Sequence, residues 1–452
     1  HFYGGEDYDA REENPGWATA DYDDTDWQSV QVVNGPGGKL DAQLMPPMKV
    51  TETIVPVRKT TPETDLYLYD LGQNFPGWWR LKVQGEAGVK VRARGAETLN
   101  DSLFPEPLTP EDRLSSKHNY HADVWTTYTL KGDGIEIYEP RFFYTGFRYV
   151  EVKIEAPEKV KSINVEGRVV HSDLPRNGSF SSSQTLFNDI YNATIWSQKG
   201  NLHGYPTDCP QREKGAYTGD GQVIAETSMH DFEMAAFYTK WLNDMKDAQH
   251  GNGRIPNTAP ELVGGHGGGI AWGSAYILIF WWMYQYYDDR QLLETHYPAI
   301  KKYIDYLYTL ARSDSNPEEK LIINDFGGYW DSLGEWCAPG QNDCPNHSVV
   351  NTAYYFLDVK LFSQIAEVLG QNEYAEYYQE LSDSIAEAYN RKFLNSETNL
   401  YGTEEVYQTY QLLALSFDLV PRDRRQAVLQ SIVTDIRDNR NGHLNTGIIG
   451  TK

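Results

Sequence analysis

The stretch Asp208-Cys-Pro-Gln-Arg-Glu-Lys-Gly-Ala-Tyr-Thr-Gly-Asp220 carries most of the information in this chain. Pro210 removes a backbone donor, and Gly215 and Gly219 permit unusual backbone angles, so the stretch is predicted to be an irregular loop. Three carboxylates, an arginine and a tyrosine lie within it. This mixture suits sugar chemistry, in which an acid protonates the leaving oxygen and aromatic rings cover the apolar face of the sugar. The alternative is a solvated acidic loop, the usual place of exposed Asp and Glu.

Composition limits the possible partners. The chain has 452 residues, 13% of them aromatic, and a formal net charge of −24. This negative charge argues against nucleic acid and anionic membranes, since both need positive surface. The 32 tyrosines and 12 tryptophans favour carbohydrate contact, although they can equally fill cores and domain interfaces. No apolar run reaches the roughly 20 residues of a membrane span.

Hydrophobic periodicity divides the chain into three parts. Residues 1–48 have no sustained pattern and are predicted to be the remnant of an N-terminal β domain. Residues 49–175 contain short alternating segments that predict a β-sandwich. Residues 176–452 carry apolar stripes at helical spacing, which predict helical hairpins in series. The predicted strands are 66–70, 78–83, 89–93, 125–130 and 149–154, with a hairpin at 85–88 and a long loop over 101–122. The predicted helices are 186–195, 224–246, 272–287, 291–312, 350–369, 373–393, 405–417 and 422–437.

The three cysteines give two open alternatives. Cys337 and Cys344 flank Pro339 and Gly340, which allow a turn, so a disulfide and a pair of free thiols are both compatible with the sequence. A disulfide would need an oxidising compartment. An extracellular or periplasmic location is slightly favoured over the cytoplasm. Cys209 is predicted to be a buried packing residue, and the cysteine spacing predicts no metal site.

The signature stretch resembles that of the α-L-rhamnosidases of glycoside hydrolase family 78. The segments 208–214 and 218–220 follow the family pattern, whereas Gly215-Ala216-Tyr217 stands where Leu-Gly-Trp is usual. The resemblance continues in the family's order from end to end of the chain. It is carried by 4–11, 70–74, 95–99, 146–150, 237–241, 253–256, 271–275, 334–339 and 442–447.

The resemblance implies a β-sandwich followed by an (α/α)6 six-hairpin toroid, with the active site in loops at one end. About eight or nine helices are expected here, whereas six hairpins need twelve, so the toroid is expected to be incomplete at the C terminus. Either the chain is a fragment of a longer polypeptide or it is a degenerate homologue. A half-closed ring would expose apolar helix faces, which favours the fragment. The family's general base, a glutamate, would then lie beyond Lys452.

The resemblance also implies roles for the signature residues. Glu213 matches the family's general acid, and Asp208 and Asp220 would hold sugar hydroxyls. General acids at neutral pH need a raised pKa, which like-charged neighbours can supply. Arg212 is placed in the substrate site and is expected to pair with one of the aspartates rather than with Glu213. Tyr217 keeps an aromatic face where the family has Trp.

Further site residues follow from the later segments. Trp272 and Trp336 match the family's pocket tryptophans, which give the methyl group of a 6-deoxy sugar an apolar wall. Core packing is an equally open interpretation of Trp272. Glu335 and Ser274 stand where the family prefers Asp; Glu335 keeps the charge and is the in-chain fallback for a base, whereas Ser274 loses it. His443 is a further candidate ligand.

The implied reaction is hydrolysis of a terminal α-L-rhamnosyl bond with inversion at the anomeric carbon, without metal or organic cofactor. One alternative is a six-hairpin glycosidase that acts on another sugar. The other is a non-catalytic rhamnose-binding homologue, in which the missing base is real. The sequence does not indicate the aglycone or the oligomeric state.

Overall fold

A computed structural model describes residues 4–99, 125–261, 267–312, 321–328, 330–339 and 344–452. The chain forms two units. Unit 1 comprises His1–Asp173, Phe180–Gly204 and Cys209–Lys214, and unit 2 comprises Leu174–Ser179, Tyr205–Asp208 and Gly215–Lys452. The loop predicted over 101–122 lies outside the described residues.

In its described residues, unit 1 is built on one hydrogen-bonded sheet. Its strands are β1 Gly5–Asp9, β2 Met48–Ile54, β3 Arg58–Glu63, β4 Leu66–Gly85, β5 Lys90–Ala96, β6 Trp125–Thr129, β7 Glu136–Tyr138, β8 Thr145–Ile154 and β9 Val160–Ser172. Their order is β1-β6-β5-β8-β4-β9-β2, and β3 and β7 also pair with β4. The β1–β6 pair is parallel and the other pairs are antiparallel.

Strand β4 joins two groups of strands because it is 20 residues long and irregular in its middle. It pairs with β3 up to Asp70 and with β8 up to Gly77, and from Gly77 onward it pairs with β9 and then also with β7. The register shifts between Asp70 and Phe75. At Gly77 φ is 146°, and an added Cβ would lie 1.8 Å from the Arg168 carbonyl oxygen, so only glycine fits there. Both groups of strands share one core, which includes Tyr69, Trp79, Val91, Val152 and Val165.

Two predictions in this unit differ from the structure. The strands predicted at 66–70 and 78–83 are one strand, β4. The hairpin predicted at 85–88 is wrong, because β8 lies between β4 and β5 in the sheet. Instead, the Glu86 N–H donates to the Lys159 carbonyl and the Gly88 N–H donates to the Leu130 carbonyl. Helix α1, Thr185–Gly200, also belongs to this unit, where it packs on β4 and β9.

Unit 2 is helical in its described residues. Its helices are α2 Thr218–Asp231, α3 Ala235–Ala248, α4 Ile270–Gly273, α5 Ala275–Tyr287, α6 Arg290–Arg312, α7 His347–Val368, α8 Asn372–Phe393, α9 Gln408–Ser416, α10 Arg425–Thr434 and α11 Ile448–Thr451. A π-helical turn, Asp435–Asn439, follows α10. Across the part of the chain that the structure describes, none of the helices combines the length and apolar character needed to cross a membrane.

These helices alternate between a buried and an exposed layer. Helices α5 and α7 are buried around most of their circumference, whereas α3, α6 and α8 bury a single stripe. Contacts run in chain order from α2 to α5, α7, α9 and α11. Outside them, α3 packs on α5, and α6 and α8 pack on α7. Because successive helices of a hairpin run in opposite directions, the segments that lead into the buried helices meet at one end of unit 2.

One predicted helix is interrupted. The stripe over 224–246 belongs to two helices, α2 and α3, which are separated at residues 232–234. Phe232 is extended and forms a β-bridge with Arg176, and the Glu233 N–H donates to the Pro175 carbonyl. Pairing with a distant segment therefore ends the helix, an effect that local periodicity does not register.

Candidate active site

The base of the signature stretch is closed by hydrogen bonds in unit 2. The Asp208 N–H donates to the Gly215 carbonyl at 2.9 Å, and the Gly215 N–H donates to Asp208 Oδ1 at 2.8 Å. The Tyr217 ring lies against Gly215, where an added Cβ would be 2.7 Å from it. Tyr217 also forms a β-bridge with Thr258. The irregular loop ends here, since α2 begins at Thr218 and not at residue 224 as the sequence predicted.

The first turn of α2 lies against a tryptophan ring. A Cβ on Gly219 would lie 2.5 Å from Cε2 and Nε1 of Trp272, so the indole packs directly on the helix backbone. Asp220 is half-buried in the same turn, where the helix N terminus favours a negative charge. Trp272 lies in α4 and is 3% exposed, so most of its ring serves packing.

Asn257, which the sequence did not single out, connects three segments around Trp272. Its Oδ1 accepts the Gly269 N–H at 2.9 Å, and its Nδ2 donates to the Trp330 carbonyl at 3.0 Å. Its own carbonyl accepts the Thr218 N–H at 2.8 Å. The side chain is 3% exposed. A buried Asn between loops leaves no periodic signal, so its role becomes visible only through these contacts.

Glu335 is fully buried, and its carboxylate accepts four hydrogen bonds. Oε1 accepts the N–H groups of Trp336 at 3.0 Å and Ile449 at 2.9 Å. Oε2 accepts the Thr409 hydroxyl at 2.6 Å and the Gly450 N–H at 3.0 Å. These bonds hold the backbone that carries Trp336. A carboxylate occupied in this way is poorly placed to activate water as the fallback base.

Trp336 is half-buried, and its ring centroid lies 5.4 Å from that of Trp330, which is 41% exposed. Trp330 was not among the predicted site residues, although its ring offers aromatic surface next to Trp336. Burial, followed by the charges of Asp220 and Glu335, raises the pKa of the Cys337 thiol. The segment that carries Trp336 therefore lies within electrostatic range of Asp220.

The structure shows all three cysteines as free thiols. Cys337 and Cys344 are therefore a pair of free thiols in the structure and not a disulfide. Cys209 is only partly buried and accepts a hydrogen bond, so it is not the buried packing residue that was predicted. Within the described ranges, no three His, Cys, Asp or Glu side chains are grouped as metal ligands.

Ser274 belongs to a buried polar cluster. Its hydroxyl donates to Asp358 Oδ2 at 2.6 Å, and the Tyr303 hydroxyl donates to the same oxygen at 3.4 Å. Asp358 Oδ1 has no hydrogen-bond partner in the described part of the chain. Burial raises the pKa of Asp358 well above its usual value. Ser274 is itself fully buried, which places it away from solvent.

Asp358→Asn is expected to change how stability depends on pH. A carboxyl whose pKa is higher in the folded than in the unfolded protein favours folding most at low pH, and this contribution is lost as the pH rises above the unfolded value of about 3.9. The variant has no carboxyl at this position, so its free energy of unfolding is expected to rise relative to that of wild type between about pH 4 and pH 7. Urea unfolding at several pH values, with the exposed Asp305→Asn as control, measures the difference. A difference that does not vary with pH contradicts the prediction.

Glu213 lies in the Cys209–Lys214 segment of unit 1. Its N–H donates to Cys209 Sγ at 3.1 Å, and its side chain is 28% exposed, so the carboxyl is accessible. Arg212 Nε lies 3.9 Å from Glu213 Oε1. The expectation that Arg212 would not pair with Glu213 is therefore wrong, although this distance is that of a loose ion pair and not of a hydrogen bond.

His443 lies on the loop before α11 and is exposed, and its N–H donates to the Arg440 carbonyl at 2.9 Å. The end of the same loop touches Trp336. A Cβ on Gly447 would lie 2.0 Å from the Trp336 carbonyl oxygen. The loop is thus tied to the Trp336 segment through its backbone, and the His443 ring is accessible to a ligand.

A family model described as the bacterial α-L-rhamnosidase six-hairpin glycosidase domain matches residues 175–452. The chain belongs to this family. Two further models match the preceding part: the bacterial α-L-rhamnosidase concanavalin-like domain over residues 59–171, and the α-L-rhamnosidase N-terminal domain over residues 1–52. The predicted family and fold class are confirmed.

Relatives in this family match along nearly the whole chain. An α-L-rhamnosidase from Streptomyces avermitilis is 36% identical over 99% of this chain, and the match covers 41% of that relative. The solved structure of α-L-rhamnosidase from Dictyoglumus thermophilum has a TM-score of 0.90 and 38% identity, covering all of this chain and 49% of its own. The S. avermitilis α-L-rhamnosidase complexed with L-rhamnose has a TM-score of 0.88 and 33% identity, covering 100% of this chain and 41% of its own. The chain thus spans less than half the length of these relatives.

Proposed function

We propose that the full-length protein hydrolyses terminal α-L-rhamnosyl bonds with inversion at the anomeric carbon. The observation that carries the proposal is the packing of Gly219 on the Trp272 ring, in the same helical turn as Asp220. An aromatic ring next to a carboxylate suits rhamnose, which has an apolar methyl group and several hydroxyls. Relatives named α-L-rhamnosidase, one of them solved with L-rhamnose, support the choice of sugar.

In the proposed reaction, Glu213 is the general acid that protonates the glycosidic oxygen as its bond breaks. The accessible side chain of Glu213 supports this role. Asp208 and Asp220 accept hydrogen bonds from sugar hydroxyls, and the half-exposed Arg212 donates to the sugar. Inversion requires a second carboxylate about 6.5–9.5 Å from the acid, with water between it and the sugar.

The aromatic residues form the walls of the proposed site: Tyr217, Trp272 and Trp336. The exposed His443 adds a polar contact from the loop that touches Trp336. Glu335 was predicted to contact the substrate. Its complete burial and four accepted hydrogen bonds support a role in positioning Trp336 instead.

Turnover of 4-nitrophenyl α-L-rhamnoside by the full-length protein tests the proposal. The matched substrate is 4-nitrophenyl α-L-mannoside, which carries a hydroxyl in place of one hydrogen of the methyl group. We expect a preference of about 10- to 100-fold for the rhamnoside, since an apolar wall rejects an added hydroxyl only moderately. Proton NMR should show β-L-rhamnose as the first product. A protein that binds L-rhamnose without turnover would instead be a binding homologue, and one that neither binds nor hydrolyses rhamnose derivatives would serve another sugar.

Gly219→Ala is expected to weaken L-rhamnose binding about tenfold, because the new methyl group would displace the Trp272 ring. The matched control is Gly221→Ala, whose methyl group would meet the core residue Trp241 at 2.2 Å. That substitution should lower stability without a selective effect on affinity. Calorimetric titration with L-rhamnose, together with urea unfolding, separates the two effects. Equal losses of affinity in both variants would show that Trp272 acts only as a core residue.

A further inference from the structure

Lys214, directly after the proposed acid, is an unusual lysine. It is 2% exposed, although lysine is almost never fully buried without a partner. Its φ is +54°, in the left-handed region that few residues other than glycine adopt. Burial lowers the pKa of Lys214 to about 8, against a smaller opposing effect of Cys209. A buried ammonium and a left-handed backbone both cost free energy, and they persist only where the surrounding structure compensates. Strained residues of this kind concentrate at functional sites.

The ammonium group of Lys214 is bound to Tyr144, the residue directly before β8 in unit 1. Its Nζ donates to the Tyr144 carbonyl at 2.7 Å and lies 4.9 Å from the centre of the Tyr144 ring. The Tyr144 ring stacks on His203, with centroids 4.1 Å apart and planes 8° from parallel. His203 Nε2 donates to the Val170 carbonyl of β9 at 3.0 Å. Burial lowers the pKa of His203 to about 3, so the imidazole is neutral and does not repel the ammonium.

Three further contacts within the same unit hold the turn that carries Glu213. The Glu213 N–H donates to Cys209 Sγ at 3.1 Å, and the Lys214 N–H donates to the Cys209 carbonyl at 3.2 Å. The tip of the turn lies on β8, where a Cβ on Gly146 would be 2.8 Å from Pro210 Cγ. Glu213 is therefore fixed through its own N–H and through the residue that follows it, while its side chain stays accessible.

We propose that Lys214 is a positioning residue for proton transfer by Glu213. Its buried ammonium anchors the end of the 209–214 turn to the Tyr144 backbone, and Cys209 Sγ orients the Glu213 N–H, so the carboxyl is presented in one orientation. This inference rests on the proposed function, in which Glu213 is the general acid. Its consequence is specific: loss of the anchor weakens only the part of catalysis that protonates the leaving group.

The test compares two rhamnosides with Lys214→Met in the full-length protein. Benzyl α-L-rhamnoside needs a proton on its leaving oxygen, whereas 2,4-dinitrophenyl α-L-rhamnoside leaves without one. We expect kcat for the benzyl substrate to fall about 10- to 100-fold with KM nearly unchanged, because a small misplacement of a catalytic group has effects of this size. The dinitrophenyl rate should stay within about threefold of wild type. In the Glu213→Gln background, Lys214→Met should cause no further loss, since the two residues act as one unit.

Three variants complete the test. Lys214→Gly keeps the left-handed backbone without the ammonium and should show the same selective loss; a wild-type benzyl rate in this variant overturns the proposal. The methyl group of Gly146→Ala would meet Pro210 Cγ and Glu97 Oε1, each at 2.8 Å, and not Lys214. This variant should also lose benzyl turnover selectively, which keeps the positioning of the 209–214 turn testable if Lys214→Met does not fold. The exposed Lys159→Met should leave both rates unchanged.

The outcomes separate this inference from the proposed function. If wild type hydrolyses neither rhamnoside, the proposed function fails and the positioning role fails with it. If Glu213→Gln loses benzyl turnover selectively while Lys214→Met lowers both rates equally, the acid is correct and Lys214 has only a structural role.

Discussion

Glu213→Gln is expected to lower kcat/KM for benzyl α-L-rhamnoside by about 10²- to 10⁴-fold in the full-length protein, the usual contribution of a general acid. Glutamine keeps the shape of the side chain and can donate a hydrogen bond, but it cannot transfer a proton. The Glu213 side chain is 28% exposed and its backbone N–H is bound to Cys209, so the substitution should leave the turn in place. Steady-state kinetics with benzyl α-L-rhamnoside measure the loss, and the rate with 2,4-dinitrophenyl α-L-rhamnoside, whose leaving group needs no proton, should change far less.

Glu226→Gln is the matched control for this prediction. Glu226 lies further along α2, where it accepts a hydrogen bond from the Tyr286 hydroxyl at 2.8 Å. Its replacement should leave kcat/KM nearly unchanged. Retention of more than about a tenth of wild-type activity by Glu213→Gln would mean that another group supplies the proton.

The sequence predicted most helices and strands, but it did not predict where a helix is broken or where two predicted strands are one. The apolar stripes at 272–287 and 373–393 correspond closely to α5 and α8, because helical periodicity is a local property of the sequence. The break at Phe232 depends on pairing with Arg176, and the two-sided pairing of β4 depends on strands far away in the chain. Such long-range contacts outweigh local patterns and leave no periodic signal.

The candidate site divides in a similar way. The resemblance of the signature stretch to that of the α-L-rhamnosidases pointed to Glu213, Asp208 and Asp220 as site residues. Their roles stay predictions. The sequence did not indicate the supporting residues Asn257 and Lys214, because each acts through burial and hydrogen bonds to segments distant in the chain. The expectation that Arg212 would not pair with Glu213 was wrong because charge type alone does not determine which of several nearby carboxylates a flexible side chain reaches.

Glu335→Ala is expected to lower the free energy of unfolding by about 3–5 kcal/mol, because several buried donors lose their acceptor and the removed side chain leaves a cavity. The substitution leaves the Thr409 hydroxyl and the N–H groups of Ile449 and Gly450 without their acceptor in a buried place. Each orphaned donor costs about 1–3 kcal/mol. Urea unfolding, followed by fluorescence, measures the loss. The released backbone also carries Trp336, so L-rhamnose affinity is expected to fall at urea concentrations where the variant is still folded.

Glu335→Gln separates the missing hydrogen bonds from the missing volume. The amide keeps the shape and one acceptor oxygen, but its NH2 group would face donors where Oε1 or Oε2 now accepts two hydrogen bonds. We therefore expect a loss of about 1–3 kcal/mol, smaller than that of Glu335→Ala. The exposed Glu404→Gln, on a loop of the same unit, should change stability by less than about 0.5 kcal/mol. If Glu335→Gln is as stable as this control, the four bonds contribute little, and Trp336 is held in place by packing against Trp330 and Gly447.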